Sequence, residues 1–442
     1  MIPTNNDLWF LPLGGCGEIG MNMSLYGHDG EWLMVDCGIG FDREVAGKRV
    51  ITANSDFIAA RRERLRGLLI THAHEDHVGA VAEHWPELRC PVYCTRFTEA
   101  ILSRKLAEAG LLERVPIHVV NAGSQITLGN FEAEWVAMTH STPESQGLVI
   151  STPLGSVFHT GDWKLDPDPI VGPAYNAATY QRIGKRGILA MVCDSTNATV
   201  PGHSPSEGEL FRELLTKVEA ATGRVVVACF GSNVARLVTL VHIAMAAGRY
   251  PALLGRSLGN YYRAARAADL WNAQREPVPA AHLGYLPANE VLAIATGSQG
   301  ELGSALYRLA NGNHPDLDLT PGDTVIFSSR VIPGNERELA VLDAKLTAMG
   351  VTVIHEQDNE PPIHASGHPA RDELKAMYQW INPSIALPVH GEPHHLDAHA
   401  ALAKQLGVPV QLNGRNGDLY QLAGKPSIKR GAVNTGRWEL RR

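Results

Sequence analysis

Four candidate metal ligands crowd into six residues of this chain. The segment Thr71-His72-Ala73-His74-Glu75-Asp76-His77 sets three imidazoles and a carboxylate at i, i+2, i+4 and i+5. An α-helix would spread them over different faces, and an unbroken strand would put His77 opposite the others. A loop at the end of a strand can aim all four at one place. The run RLRGLLIT (64–71) reads as that strand, and HVGAVAEHW after it as a short helix. Neutral imidazole and carboxylate suit Zn²⁺, which keeps an open position for water when it is catalytic. On residue type, His72 and His74 can hold one ion, and Asp76 and His77 a second. Two ions need further ligands. His140 closes EWVAMTH, Asp162 lies in HTGD and His390 in PVHGE, each at a similar strand end. An aspartate carboxylate can bridge two ions about 3.5–4 Å apart, the spacing of two-metal hydrolytic sites.

The rest of the chain constrains the setting. Its 442 residues predict two or three domains, and 44% apolar against 19% charged residues predicts a folded chain. No apolar stretch is long enough to span a membrane. The start, MIPTNNDLWFLPLGG, lacks the pattern of a secretory signal. Six cysteines without framework spacing predict a reducing, cytoplasmic setting, with Cys90 and Cys94 as packing residues. A formal net charge of −7 argues against a uniformly basic nucleic-acid coat, though not against a local basic channel. Of 19 histidines, four fall in 72–84, three in 355–368 and four in 390–399.

Residues up to 162 alternate short apolar runs with turn residues, which predicts sheets with helices outside them. From about 203 the pattern changes. SPSEGELFRELLTKVEAATG offers Ser206 and Glu209 as a capping box, with Leu210, Leu214 and Val218 at helical spacing. RVVVACF, VLAIAT and TVIFSS then read as strands, each followed by a loop and a helix. Strands alternating with helices predict a parallel α/β layer. After about 355, His-rich loops and short strands return. The simplest account is one α/β module inserted into another domain: 1–202, 203–355 as the insert, and 356–442.

Two loops have the chemistry of anion holders. In CFGSNVAR a strand runs into Gly231-Ser232-Asn233, which opens a helix, where free N–H groups and the helix dipole attract negative charge. An ordinary N-cap explains the same residues equally well. HASGH offers His364, Ala365, Ser366, Gly367 and His368 as a second such loop. TGSQGE (296–301) reads better as a turn than as an anion loop. Arg61, Arg62, Arg64 and Arg66 read as a solvated face rather than an RNA contact. The basic tail from Lys425 to Arg442 is compatible with either RNA contact or packing. No Walker A or G-x-G-x-x-G pattern appears.

Together, HAHEDH, MTHS, HTGD and PVHGE resemble the metallo-β-lactamase fold, with Asp36 in MVDCG matching that superfamily's first motif. Asp194 in CDSTNA, His368 in HASGH and His390 in PVHGE match the three β-CASP motifs, and the interval from His368 to His390 is 22 residues. LGGCGEIGMNM, CFGSNVAR, TGSQGE and VIPGNE resemble the ribonuclease J family. The resemblance implies an α/β protein, an αββα metallo-β-lactamase sandwich with an inserted β-CASP α/β domain. It implies two Zn²⁺, with Mn²⁺ or Mg²⁺ as substitutes: His72, His74 and His140 on one, Asp76, His77 and His390 on the other, and Asp162 shared. A metal-bound hydroxide would attack the phosphorus, His368 would donate to the phosphate or leaving oxygen, and Asp194 would orient a ligand or His368. Asp76, His368 and Asp194 are thus the catalytic candidates, although residue chemistry alone also allows Asp194 as a turn residue. Ser232, Asn233 and 364–368 would hold the 5′ phosphate of single-stranded RNA.

The implied activity is hydrolysis of RNA, both internally and from a 5′-monophosphate end toward the 3′ end, leaving 5′ phosphates, in RNA processing and decay. A small-molecule hydrolase of the same fold is the main rival, a DNA nuclease of the superfamily is a nearer one, and a non-catalytic RNA-binding subunit is a third. Two departures stand out. Ala73 sits where glycine is common, and only residues 393–442 follow PVHGE. The further C-terminal domain associated with dimers in the family is therefore not expected, which leaves a homodimer as an open expectation.

Overall fold

A computed structural model describes residues 1–42, 49–332, 334–357 and 360–440. Pro333 of VIPGNE and Arg441 and Arg442 of the basic tail lie outside the described residues.

Two large sheets stack face to face. One has eight strands, in the order Ser427–Lys429, Leu419–Gln421, Trp9–Gly14, Met23–His28, Glu31–Val35, Leu65–Leu69, Val92–Cys94, Ile117–Val119. The other has seven, in the order Val410–Gln411, Ile385–Val389, Ile188–Asp194, Gly155–His159, Gln146–Thr152, Phe131–Ala137, Gln125–Leu128. Alternation along each strand decides which layer a side chain enters. Phe10, Tyr26, Leu33 and Val35 meet Trp135, Leu148, Ile150 and Val192 between the sheets. Their neighbours Leu11, Leu25, Trp32 and Met34 face Val81, Trp85, Leu102 and Leu106 on outer helices. On the far side Val149, Phe158 and Met191 face Tyr180, Leu374, Met377 and Leu402. Both faces are covered, so the strands read as continuous apolar runs.

Strand Ile188–Asp194 pairs in parallel with Ile385–Val389, setting Asp194 opposite Val389. The chain between them leaves and returns to one spot in the sandwich, as an inserted module must. That module has a five-stranded parallel sheet, in the order Tyr250–Leu254, Val291–Ala295, Val225–Ala228, Thr324–Phe327, Thr352–Ile354. Val226, Ala293 and Val325 face one helical layer and Val227, Ile294 and Ile326 the other.

Several elements depart from the sequence reading. The helices Arg371–Ile381 and Pro393–Gln405 occupy the region read as loops and short strands. Leu374, Met377, Tyr378 and Ile381 form a buried helical stripe there, masked by the histidines, prolines and glycines around it. Helices Arg96–Glu108 and Arg256–Ala267, and strand Tyr250–Leu254, also went unread. The capping box does not form. Helix Leu210–Ala220 has no side-chain cap, because Ser206 instead donates to the buried Asp166 carboxylate at 2.5 Å.

The described part of the basic tail, Lys425–Leu440, packs in part. Arg437–Glu439 adds an antiparallel strand beside Arg49–Ala53, and Trp438 stacks on the buried His84 ring at 5.0 Å. The arginine run near 61–66 is used locally: Arg61 lies over Phe57, Arg62 pairs with Glu63, Arg64 donates to the Gly30 carbonyl and Arg66 pairs with Glu31. Gln299 of TGSQGE bonds the Arg330 carbonyl and the Ile332 N–H, which makes that segment a loop brace. All six cysteines are free and buried. No helix among the described residues is long and apolar enough to cross a membrane.

Candidate metal centre

Strand Leu65–Leu69 delivers Thr71 to Asp36, whose Oδ1 accepts the Thr71 N–H at 2.8 Å and whose Oδ2 accepts its hydroxyl at 2.9 Å. Beyond that anchor the chain is a loop through His74, then one helical turn, Glu75–Val78. Asp76 and His77 therefore stand on helix and not on the expected loop. The turn is laced to the neighbouring strand ends: Asn22 N–H donates to the Asp76 carbonyl and Cys37 N–H to the His77 carbonyl. Gly38 is required there by close approach, since a Cβ on it would lie 1.7 Å from the Asp76 carbonyl oxygen. Asp36 and His390 both adopt positive φ, 61° and 52°. Such backbone strain in non-glycine residues clusters at functional sites.

The candidate ligands converge. His72 Nε2 lies 3.1 Å, and His140 Nε2 3.0 Å, from His74 Nδ1. Both ε nitrogens are 3.9 Å from Asp162 Oδ2. On the other side of Asp162, Oδ2 is 3.3 Å from His77 Nε2, and Oδ1 is 3.0 Å from His390 Nδ1. Asp76 Oδ2 is 3.6 Å from both His77 Nε2 and His390 Nε2. Two donor sets result, His72, His74, His140 with Asp162, and Asp76, His77, His390 with Asp162, each having its donor atoms within 4.8 Å. Tetrahedral donors about 2.0–2.1 Å from a zinc ion stand roughly 3.3 Å apart, close to these separations.

The hydrogen bonds behind the rings fit the same purpose. His77 Nδ1 is 2.7 Å from Asp36 Oδ2, His72 Nδ1 is 3.0 Å from Thr71 Oγ1, and His140 Nδ1 is 2.5 Å from the Gly367 carbonyl. Each bond fixes a tautomer and leaves the other nitrogen's lone pair directed inward. His390 Nε2 is buried with no hydrogen-bond partner, a group left for a ligand to satisfy. Burial first, then neighbouring imidazoles, hold His72 and His140 well below the usual histidine range. Burial takes His74 down to about 4. Neutral rings are the form that binds metal, whereas at His77 and His390 burial is outweighed by the Asp162 carboxylate, which raises both. The residues present fit a pair of divalent ions.

His368 stands at the rim of this cluster with its side chain 22% exposed, Nδ1 2.7 Å from Asp194 Oδ2 and 3.8 Å from Asp162 Oδ2. Burial opposes its charge, but Asp194, Asp162 and Asp76 outweigh that and raise it to about 9. Asp194 is fully ordered by its neighbours, accepting the Thr196 N–H and donating its own N–H to Thr160. Its Oδ2 lies against His368 Nδ1 while Oδ1 takes the Thr196 N–H, so the one carboxylate serves both the turn and the His368 ring.

The predicted anion loops are only partly free. Asn233 uses both ends of its side chain within the protein: Oδ1 accepts the Arg236 N–H, and Nδ2 donates to Glu207. Ser232 is half-buried and open to solvent. Ala365 is fully buried in the module core. Ser366 Oγ accepts from Asn197, and Gly367 lends its carbonyl to His140. His364 is held well below the usual range by burial and by Arg236, and its Nδ1 is buried without a partner.

Four residues of the site have no signal in the sequence that marks them. Asn22 places Nδ2 3.0 Å from His77 Nε2. Asn197 ties Ser366 to the His368 carbonyl. The buried Glu207–Arg236 pair carries the GSN loop and Ser328. Asn22 and Asn197 lie inside recognised motifs, but asparagine is too common in turns to stand out.

An αββα sandwich with adjoining His/Asp donor sets at its strand ends, and an α/β module inserted beside it, defines a metal-dependent hydrolase of the metallo-β-lactamase superfamily. Residues 17–219 match that superfamily, 222–345 the family described as "Ribonuclease J, beta-CASP domain", and 362–412 a "Zn-dependent metallo-hydrolase RNA specificity domain". Among curated proteins, Ribonuclease J of Sinorhizobium meliloti is 43% identical over 428 residues, 96% of this chain and 76% of that protein. Ribonuclease J of Thermus thermophilus is 36% identical over 439 residues, 96% and 76%. That of Synechocystis sp. is 36% identical over 435, covering 97% and 68%. A crystal structure of a protein of unknown function from Enterococcus faecalis shares the fold, with a TM-score of 0.63 at 14% identity, over 94% of this chain and all of that one. The chain belongs to the ribonuclease J family and is a metal-dependent nuclease of that family.

Proposed function

We propose that this chain hydrolyses RNA phosphodiesters with a pair of Zn²⁺ ions, cutting internally and also stepwise from a 5′-monophosphate end. His72, His74 and His140 would hold one ion, Asp76, His77 and His390 the other, with Asp162 between them. A divalent pair supplies Lewis acidity toward phosphoryl oxygens and acidifies water toward neutral pH. The remaining work belongs to the chain. Asp194 holds the Nδ1 proton of His368, so the ring stays charged near the scissile phosphate and can give a proton to the leaving oxygen. The products keep their 5′ phosphates, since the ribose 2′-hydroxyl is not the nucleophile.

Ser232, His364 and Ser366, with the backbone of 364–368 and the N-terminal end of helix Val234–Ala246, are the proposed holders of a terminal phosphate. Supporting this are the half-buried Ser232 and the unpartnered His364 Nδ1. Asn233 acts there by shaping the loop. The proposed division is 1–202, 203–355 and 356–442, and the six free buried thiols support a reducing, cytoplasmic setting. A homodimer remains part of the proposal only as an expectation from the family.

The observation that carries this reading is the convergence of six side chains on Asp162, with His72, His77 and His140 each committing one ring nitrogen outward and directing the other in. The test compares labelled RNA bearing 5′ monophosphate, triphosphate or hydroxyl, with and without chelator, beside single-stranded DNA. Chelator-sensitive release of mononucleotides from the monophosphate substrate is expected. Equal turnover of DNA, or activity indifferent to chelation, would overturn it.

A further inference from the structure

The metal motif does not stand on the sandwich alone. Ala73, between ligands His72 and His74, is fully buried. A backbone carbonyl there needs a hydrogen-bond donor, and it receives one from the inserted module: the Tyr261 hydroxyl donates to Ala73 O at 3.1 Å. Tyr261 lies on helix Arg256–Ala267 and is itself only 7% exposed. The Ala73 methyl belongs to one apolar cluster with Phe97 of the sandwich and Val234, Val238, Tyr261 and Ala265 of the module. Val234 begins the helix that follows the GSN loop. The residue at 73 thus supplies a side chain to the seam between the two domains. Lys105, from the sandwich helix facing Arg256–Ala267, grips Glu75 of the same motif at 2.6 and 2.8 Å.

We infer that Tyr261 is a positioning residue for the metal centre: by holding the Ala73 carbonyl it orders the His72–His74 loop, so that metal loading and docking of helix Arg256–Ala267 favour one another. A loop already ordered loses less entropy when an ion binds. By linkage, an ion that fixes the loop must in turn fix the helix. The inference rests on the proposed metal centre, since only a loop that carries ligands can transmit the effect.

The test uses the full chain, stripped of metal by chelator and titrated with Zn²⁺ against a competing dye, with hydrogen exchange of residues 256–267 followed in parallel. Tyr261→Phe removes one hydroxyl and keeps the ring. It should weaken Zn²⁺ binding by about 3- to 10-fold, the size expected from one lost hydrogen bond to a buried carbonyl. Zn²⁺ should slow exchange in the helix of the parent and do so less in the variant. Tyr262→Phe, at the half-buried neighbouring tyrosine whose hydroxyl bonds Glu276, should match the parent. A Tyr261→Phe protein that is less heat-stable yet binds Zn²⁺ with parental affinity would overturn the inference while leaving the metal centre intact. A parent that binds no Zn²⁺ would overturn both.

Discussion

An imidazole binds metal through one lone pair, and what decides whether that lone pair is free is the bond made by the other nitrogen. Asp36 settles this for His77, and through Thr71 for His72, without being a ligand itself. Replacing Asp36 by Ala should therefore lower metal affinity or turnover by about 10- to 100-fold, as loss of such a supporting carboxylate does elsewhere. Titration of bound zinc against activity checks it. Replacing His74 by Ala removes a ligand outright and should abolish RNA hydrolysis; full activity in that variant would contradict the proposed mechanism. Gly38→Ala acts by crowding, because its new methyl would overlap the Asp76 carbonyl. Overpacking of this kind costs about 1–3 kcal/mol, and here the displaced backbone carries Asp76 and His77, so stability and zinc affinity should fall together in denaturation and metal titrations.

At the scale of elements, the loop after strand Val225–Ala228 owes its shape to a buried ion pair. Arg236 Nε meets Glu207 Oε2 at 3.1 Å with both side chains 1% exposed, and the same guanidinium bonds the Ser328 carbonyl. Breaking a buried pair leaves an uncompensated charge and costs about 3–5 kcal/mol. Arg236→Met should destabilise the protein by that amount in urea titration, and Glu207→Gln, which keeps a hydrogen-bonding end, by less. Asn233→Ala removes the cap of helix Val234–Ala246 and should cost about 1 kcal/mol. Its effect on cleavage of 5′-monophosphate RNA should exceed its effect on internal cutting if the loop holds the terminal phosphate.

For the molecule as a whole, buried histidines outside the metal centre lower its stability in acid, His84 and His399 among them. His84 lies between Ser55 and Thr52, and His399 between Ser195 and Tyr378. Burial takes each down to about 4. The folded value lies below the unfolded one, so below about pH 6.5 the unfolded chain binds protons that the folded chain refuses. Stability is full above that point and falls as pH drops toward 4, by about 2 kcal/mol per histidine at pH 5. Unfolding titrations at pH 7 and pH 5 should show this, and His399→Gln should flatten the dependence. Because His84 also stacks on Trp438, its protonation should loosen the strand Arg437–Glu439 first.

The sequence determined the chemistry, since the ligand motif, the strand ends around it and the inserted α/β pattern are local arrangements of residue type and spacing. The stripe Leu374, Met377, Tyr378, Ile381 is also written in the spacing, and the surrounding histidines, prolines and glycines hide its helix. The tertiary structure alone decided which side chains the protein consumes. Asn233 and Asn22 are the same residue type, yet one caps a helix while the other enters the metal cluster. Ala73 and Tyr261 meet only because two domains close on each other. Such contacts depend on where distant segments come to lie, and no spacing along the chain encodes that distance.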